Sequence, residues 1–268
     1  MNRINRKFKE LKEKGHKAFI AYVAAGDPDL KTCKTVVTSL AKAGADIIEL
    51  GIPFSDPLAD GPTIQKATQR SLKAGCTVRK VMDMVRQLRR EVDVPMVFMT
   101  YYNIVFNYGI RDFIKDAKTC GVDGVIVPDL PMEESGELTE HGDKEDFNVV
   151  LLAAPTTPLE RFKKIAARSR GFIYYVSLTG VTGARKKLSA KVKTEINILK
   201  KMTKKPVCVG FGVSTPEQAK DLAGAADGVI VGSAIIKVIE KNLASKRRMV
   251  SGVEKFARSM ARAVHGVK

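Results

Sequence analysis

The sequence predicts an α/β protein, a (β/α)8 TIM barrel with an extra N-terminal helix. Eight short runs of apolar or β-branched residues recur along the 268 residues, and successive runs begin about 30 residues apart. The runs are continuously apolar, which is typical of parallel strands buried on both faces. Segments with helical spacing of apolar residues separate them. Eight such units fill a chain of this length, as this barrel requires.

Each run is interpreted as one strand of the barrel. A doubly wound open sheet would contain the same local units, but no G-x-G-x-x-G follows the first run, so we favour the barrel. The predicted strands are 18–24, 46–52, 95–101, 124–128, 149–153, 172–177, 207–212 and 228–232.

The intervening and terminal segments are predicted to be helices within a single domain that covers residues 1–268. Apolar residues recur at helical spacing in 76–91 and 111–120. Near the N-terminus Ile4, Phe8 and Leu11 form one apolar stripe, which we expect to plug the floor of the barrel. The apolar positions of 250–264 predict a closing outer helix.

Composition excludes several classes of protein. The chain is 44% apolar, as in ordinary globular proteins, and it has no apolar run of the roughly 18–20 residues that span a bilayer. The N-terminal segment lacks the apolar stretch of a signal peptide. The four cysteines contain no C-x-x-C pair, so we expect reduced thiols, no zinc site and a cytoplasmic location.

The formal net charge of +17 raises the question of nucleic-acid binding. Segments 1–18, 186–205 and 237–268 carry +5, +7 and +7, which leaves the remainder of the chain at −2. The excess charge is therefore local, and we interpret it as a property of the outer layer and rim.

Long connections follow two of the strands, at 53–75 and 178–190. In (β/α)8 barrels the functional site is built from loops at the carboxyl ends of the strands. The candidate site is therefore expected where these two loops meet.

Glu49 is the first candidate catalytic residue. It has the same strand parity as Ile47 and Gly51, so these three side chains point to one side of the sheet. If that side is the barrel interior, burial raises the pKa of the carboxyl group and suits it to both giving and accepting a proton. The alternative is a Glu49 that faces a helix and forms a salt bridge.

Asp60 lies eleven residues further on, in a loop stiffened by Pro53 and Pro57. Alone, a loop aspartate commonly caps a turn. Together with an inward-facing Glu49, it forms a credible pair for general acid/base catalysis and electrostatic stabilisation.

Glycine-rich strand ends predict a phosphate site. The seventh and eighth predicted strands run into helices through Gly210, Gly212 and Gly232, followed by the hydroxyl of Ser233. Backbone N–H groups at such helix starts bind anions, and these two loops are the usual phosphate site of (β/α)8 enzymes. A small phosphorylated substrate is expected, with no metal ion.

Other polar residues are weaker candidates. Asp27 and Asp129 follow the first and fourth strands and are expected to order their loops rather than to react. His16, His141 and His265 lie in outer segments and are interpreted as surface residues. No predicted strand ends in an inward-facing lysine, which argues against a Schiff-base aldolase.

Four motifs carry a family resemblance: IELGIPFSDPLADGP at 48–62, MTYYN at 99–103, GVTGAR at 180–185 and GFGVS at 210–214. With these motifs in this order, the sequence resembles the α subunits of tryptophan synthase over nearly its whole length. The resemblance implies reversible aldol cleavage of indole-3-glycerol phosphate to indole and glyceraldehyde 3-phosphate, in the last steps of tryptophan biosynthesis. Glu49 would shuttle protons, and Asp60 would hold the indole N–H.

The resemblance also implies substrate contacts and a partner. A pyridoxal-phosphate β subunit would complete an α2β2 assembly and receive indole, so no cofactor is expected in this chain. The loop 53–60 would touch that partner, and the loop 178–190 would close over the substrate. The expected substrate-binding residues are Tyr102, Tyr174, Thr182, Gly183, Gly210, Gly212, Gly232 and Ser233.

Two other functions are weighed against this one. Another phosphate-binding barrel enzyme, such as a sugar-phosphate isomerase or aldolase, would use Asp27 and Asp129 and tolerate Glu49→Gln. A nucleic-acid-binding protein on a barrel scaffold would bind with steep salt dependence. The absence of Trp and of any recognised binding module speaks against the second alternative.

Overall fold

The computed structural model describes residues 2–176, 185–210 and 212–267, without the side chains of 185–190. In this part of the chain nine parallel strands form one sheet. They are β1 (Ala18–Ala24), β2 (Ile47–Gly51), β3 (Met96–Met99), β4 (Gly124–Ile126), β5 (Asn148–Val150), β6 (Leu152–Ala153), β7 (Ile173–Val176), β8 (Val207–Gly210) and β9 (Gly228–Val231).

The sheet closes into a barrel, which confirms the predicted class. The strand order is β5-β4-β3-β2-β1-β9-β8-β7-β6, and the two ends of this order are consecutive parts of one extended segment. The prediction of one uninterrupted strand at 149–153 was wrong, because β5 pairs with β4 whereas β6 pairs with β7. Leu151 lies between them and accepts a hydrogen bond from the Tyr174 N–H. The other seven strands lie inside the predicted runs.

Helices follow the strands on the outside of the barrel. One further turn, 132–134, is a 3-10 helix. The α-helices of the described chain are α1 (Arg3–Glu13), α2 (Leu30–Lys42), α3 (Pro62–Lys73), α4 (Val78–Leu88), α5 (Tyr102–Tyr108), α6 (Ile110–Cys120), α7 (Gly136–Lys144), α8 (Leu159–Arg168), α9 (Arg185–Lys201), α10 (Pro216–Ala223), α11 (Ser233–Lys241) and α12 (Lys246–His265).

Helix α1 closes the amino-terminal end of the barrel, as its apolar stripe predicted. Ile4, Phe8 and Leu11 belong to the same buried cluster as the inward-facing side chains of the strands. The ring of Phe8 lies 5.8 Å from that of Phe172, centroid to centroid. Asn2 caps the helix by accepting the Ile4 N–H at 2.9 Å. Burial of these apolar side chains stabilises the floor by roughly 1.5–3 kcal/mol each.

Helix α12 is the closing outer helix that the sequence predicted, and it packs against α2, α10 and α11. Near its end, His265 does not behave as a simple surface residue. Its Nε2 lies 2.8 Å from the Asp46 carboxylate, and its ring stacks on His16 at 5.3 Å. The prediction for His265 was therefore wrong, since the helix end folds back onto the start of β2.

Within the described residues, no helix combines the length and apolar character needed to cross a membrane. Cys33, Cys76, Cys120 and Cys208 are all buried free thiols.

Candidate active site

Glu49 points into the barrel. Its register partner on β1 is Tyr22, and its neighbour Ile47 belongs to the inner apolar cluster. Ile48 and Leu50, of opposite parity, pack in the outer layer between strands and helices. The period of two along β2 thus confirms the inward prediction. The alternative of a helix-facing Glu49 in a salt bridge was wrong.

The Glu49 carboxyl group is buried without compensation. The residue has no exposed surface, and neither side-chain oxygen has a hydrogen-bond partner within the described chain. Burial raises the pKa of the group to about 8. A carboxyl group in this state is partly protonated near neutral pH, so it is able to donate and to accept a proton.

A cavity of about 1420 Å³ opens at the carboxyl ends of the strands. Tyr22 and Tyr174 form part of its wall, as do Asp60, Gly232 and Ser233. Burial, and then neighbouring negative charge that includes Glu49, raises the pKa of both tyrosine hydroxyls well above its ordinary value. The two tyrosines remain neutral in the cavity wall, close enough to Glu49 for its charge to act on their hydroxyls.

Each of these tyrosines needs a glycine on a neighbouring strand. A methyl group on Gly51 would collide with the hydroxyl of Tyr22. At Gly210 an added Cβ would lie 2.7 Å from the hydroxyl oxygen of Tyr174. The glycines at the ends of β2 and β8 therefore make room for the aromatic walls of the cavity.

Asp60 lines the cavity from the loop before α3. Burial raises the pKa of its carboxyl group, and a hydrogen bond from the Tyr101 hydroxyl opposes that shift. The Tyr101 oxygen also accepts the N–H of Ala59 at 3.0 Å. The Asp60 carbonyl oxygen accepts a hydrogen bond from Gln65 Nε2 at 2.9 Å. The loop that carries Asp60 is thus tied both to the end of β3 and to the first turn of α3.

The structure places Tyr101, and not Tyr102, beside Asp60. Tyr102 is not among the residues of the cavity wall, and its ring lies 6.0 Å from that of Phe106. Helix α5 begins at Tyr102, so the alternation of the strand ends before this residue. Tyr101 was missed, although the MTYYN motif contained it.

Asp27 and Asp129 order loops, as predicted. Asp27 is buried and accepts two hydrogen bonds from Arg70 of α3, at 2.7 and 2.9 Å. Asp129 accepts the N–H of Tyr102 at 2.9 Å and so stabilises the start of α5. The carboxylate of Asp27 is thus occupied by Arg70, whereas Asp129 combines its loop contact with a place in the cavity wall.

The residues of the predicted phosphate site lie in the wall of the same cavity. Gly212, Gly232 and Ser233 all line it, and α11 begins at Ser233. The first N–H groups of a helix have no partner within the helix, so they are available to an anion. Thr182 and Gly183 lie outside the described residues.

A comparison with protein families identifies the family of the chain. The family model described as tryptophan synthase alpha chain matches residues 8–265. The chain belongs to the tryptophan synthase alpha chain family. Members of this family are lyases that cleave indole-3-glycerol phosphate in tryptophan biosynthesis.

Individual relatives agree over the full length. The tryptophan synthase alpha chain of Caldanaerobacter subterraneus subsp. tengcongensis is 46% identical over 260 residues, which cover 97% of this chain and 98% of the relative. The solved tryptophan synthase subunit alpha of Legionella pneumophila str. Paris superposes with a TM-score of 0.93, at 36% identity and full coverage of both chains. A chain of the tryptophan synthase complex from Pyrococcus furiosus gives 0.81 at 38% identity, covering 91% of this chain and 98% of that one.

Proposed function

We propose that this chain cleaves indole-3-glycerol phosphate reversibly to indole and glyceraldehyde 3-phosphate, with Glu49 as the acid/base and Asp60 as its electrostatic partner. The observation that carries these roles is the Glu49 carboxyl group, which is fully buried, has no hydrogen-bond partner among the described residues, and has a pKa raised to about 8.

The cleavage needs one group that transfers protons and one group that stabilises positive charge. The bond between the ring and the glycerol chain breaks only after C3 of the indole has been protonated. Glu49 delivers that proton and then accepts the proton of the glycerol hydroxyl as the aldehyde forms, so the cycle returns it to its starting state. Protonation at C3 places positive charge on the ring nitrogen. The Asp60 carboxylate accepts the hydrogen bond of that N–H and stabilises the charge.

The remaining substrate contacts follow the same cavity. Tyr174 packs beside the indole ring, and the N–H groups around Gly232 and Ser233 bind the phosphate. Position in the cavity wall supports Tyr174, Gly212, Gly232 and Ser233 in these roles. The proposed phosphate contacts also include Gly210, Thr182 and Gly183.

We further propose that the chain works with a β subunit in an α2β2 assembly and that pyridoxal phosphate belongs to that partner. The likeness to a chain of the Pyrococcus furiosus tryptophan synthase complex supports the assembly. So does Leu58, an apolar side chain that is 93% exposed in the loop 53–60. Residues 1–268 are proposed to form one domain, and the buried free cysteines are consistent with a cytoplasmic location.

The test is release of indole from indole-3-glycerol phosphate, measured with and without added β subunit. The wild type is expected to be active and to be accelerated by the partner. Glu49→Gln is expected to lose about 10²-fold or more in kcat, because general acid/base catalysis is removed. Glu254→Gln makes the same chemical change on the exposed face of α12 and should match the wild type. Inactivity of the wild type in both conditions would refute the assignment.

A further inference from the structure

The cationic side chains in the cavity wall differ in whether a carboxylate of the protein pairs with them. In the described part of the chain, the cations that line the cavity are Arg161, Lys193 and Lys237. Arg161 donates two hydrogen bonds of 2.8 Å to the carboxylate of Glu133. Lys193 pairs with the carboxylate of Asp221. Two of the three charges are therefore compensated by carboxylates of the protein itself.

Lys237 is not compensated. It is exposed, and within the described residues no carboxylate lies within ion-pair distance of its ammonium group and no hydrogen bond involves it. A lone ammonium group on the wall of a cavity attracts an anionic ligand, because no internal partner competes for it.

The position of Lys237 on α11 directs this charge towards the proposed phosphate site. It lies four residues after Ser233, so both side chains lie on one face of the helix. Side chains of a helix lean towards its N-terminus, and four residues rise about 6 Å, a distance that the four-carbon stem of a lysine can cover. The stem is therefore long enough to bring the ammonium group to the level of the first turn.

We propose that Lys237 is a phosphate-binding residue of this enzyme, acting as a mobile point charge beside the fixed N–H groups at the start of α11. The inference rests on the proposed function, which requires a phosphorylated substrate in this cavity. The N–H groups supply directed hydrogen bonds, whereas the ammonium group balances the charge of the dianion. The same cavity wall contains Tyr22 and Tyr174, next to the unpartnered Glu49, so the phosphate end and the reacting end share one cavity.

This role predicts an effect on binding rather than on the chemical step. The phosphate group is remote from the bond that breaks, and Lys237 contacts it equally before and during the reaction. Loss of such uniform binding raises KM with kcat unchanged. Removing one positive charge also makes kcat/KM less sensitive to ionic strength.

The experiment compares Lys237→Gln with Lys241→Gln, a matched change on the same helix at an exposed position outside the cavity wall. For Lys237→Gln we expect KM for indole-3-glycerol phosphate to rise about fivefold, consistent with an exposed ionic contact, and kcat to change less than about twofold. The dissociation constant of inorganic phosphate, measured by calorimetry, should rise by a similar factor. Lys237→Arg should retain most of the affinity, and Lys241→Gln should match the wild type.

The outcomes test the proposed function and the role of Lys237 separately. If the wild type cleaves the substrate but Lys237→Gln leaves KM, the phosphate affinity and the salt dependence unchanged, the role of Lys237 is refuted while the proposed function stands. An equal effect of Lys241→Gln would also refute it, because the effect would then reflect overall charge. If the wild type shows no cleavage, the proposed function fails, and the phosphate titration still reports whether Lys237 binds the anion.

Discussion

The hydroxyl of Tyr101 donates a hydrogen bond to the carboxylate of Asp60, and its oxygen accepts the N–H of Ala59 from the same loop. One side chain at the end of β3 therefore fixes both the backbone and the carboxylate of the loop before α3. The hydrogen bond also limits the rise in the pKa of Asp60 that burial causes.

Tyr101→Phe should reduce kcat/KM by about tenfold or more, the usual worth of a hydrogen bond to a charged group. Without the donor the pKa of Asp60 rises, so the acidic limb of the pH–rate profile should move to higher pH. Tyr175→Phe is the control, since the Tyr175 hydroxyl donates to Glu195 at 2.5 Å on the outside of the barrel. A profile that shifts equally in both variants would contradict this assignment.

Glu49 makes stability depend on pH. Its pKa is about 8 in the folded chain against an ordinary value of 4.5, so between these values the folded state binds the extra proton. Stability therefore falls as pH rises from about 4.5 to about 8 and is flat for this group above that. Urea unfolding at pH 5 and pH 8.5 should show a loss that is smaller in Glu49→Gln, whose amide does not titrate. An equal loss of unfolding free energy in the two proteins would count against a buried, titrating Glu49.

The Asp27–Arg70 pair should be important for folding stability. Arg70→Met leaves a fully buried carboxylate without its bidentate partner, and such losses destabilise proteins by about 3–5 kcal/mol. Arg161→Met breaks an exposed pair of similar geometry and should cost less than about 1 kcal/mol. Denaturant midpoints of both variants would measure the difference. Similar costs at the two sites would show that burial of Asp27 does not decide the effect.

Gly51→Ala tests the space that Tyr22 occupies. The added methyl group collides with the Tyr22 hydroxyl, so we expect displacement of the ring, a loss of roughly 1–3 kcal/mol in stability and lower kcat/KM. Combining it with Tyr22→Phe removes the hydroxyl and should recover part of the stability, as a double-mutant cycle would show. Gly136→Ala has open space around the new Cβ and should be nearly neutral. Additive effects in the cycle would exclude the predicted collision.

The sequence was sufficient to predict which side chains share a face where that depends on local periodicity. Alternation along a strand is fixed by backbone geometry, so the sequence predicted that Glu49 shares one side with Ile47 and Gly51, and the structure shows that this side is the barrel interior. Tyr102 was expected in the site from the family resemblance alone, and alternation offers no guide there because α5 begins at this residue. No local rule marked the end of β3 within MTYYN.

Contacts between distant segments were beyond local reasoning. Arg70 lies 43 positions from Asp27, and His265 lies 219 positions from Asp46, so each pairing depends on how the units pack together. The break at Leu151 has the same origin. The fifth segment faces β4 on one side and β7 on the other, and a single sequence run does not reveal where each pairing begins and ends.

The break at Leu151 has a consequence for self-association. An open sheet exposes two outer strands whose unpaired N–H and C=O groups are templates for another chain. Here the two terminal strands of the order, β5 and β6, are joined by one residue and are only three and two residues long. One extended segment therefore pairs with β4 through its first part and with β7 through its second, and a second molecule finds no strand at the seam long enough to extend. A protein with this closure carries its own protection against edge-to-edge aggregation.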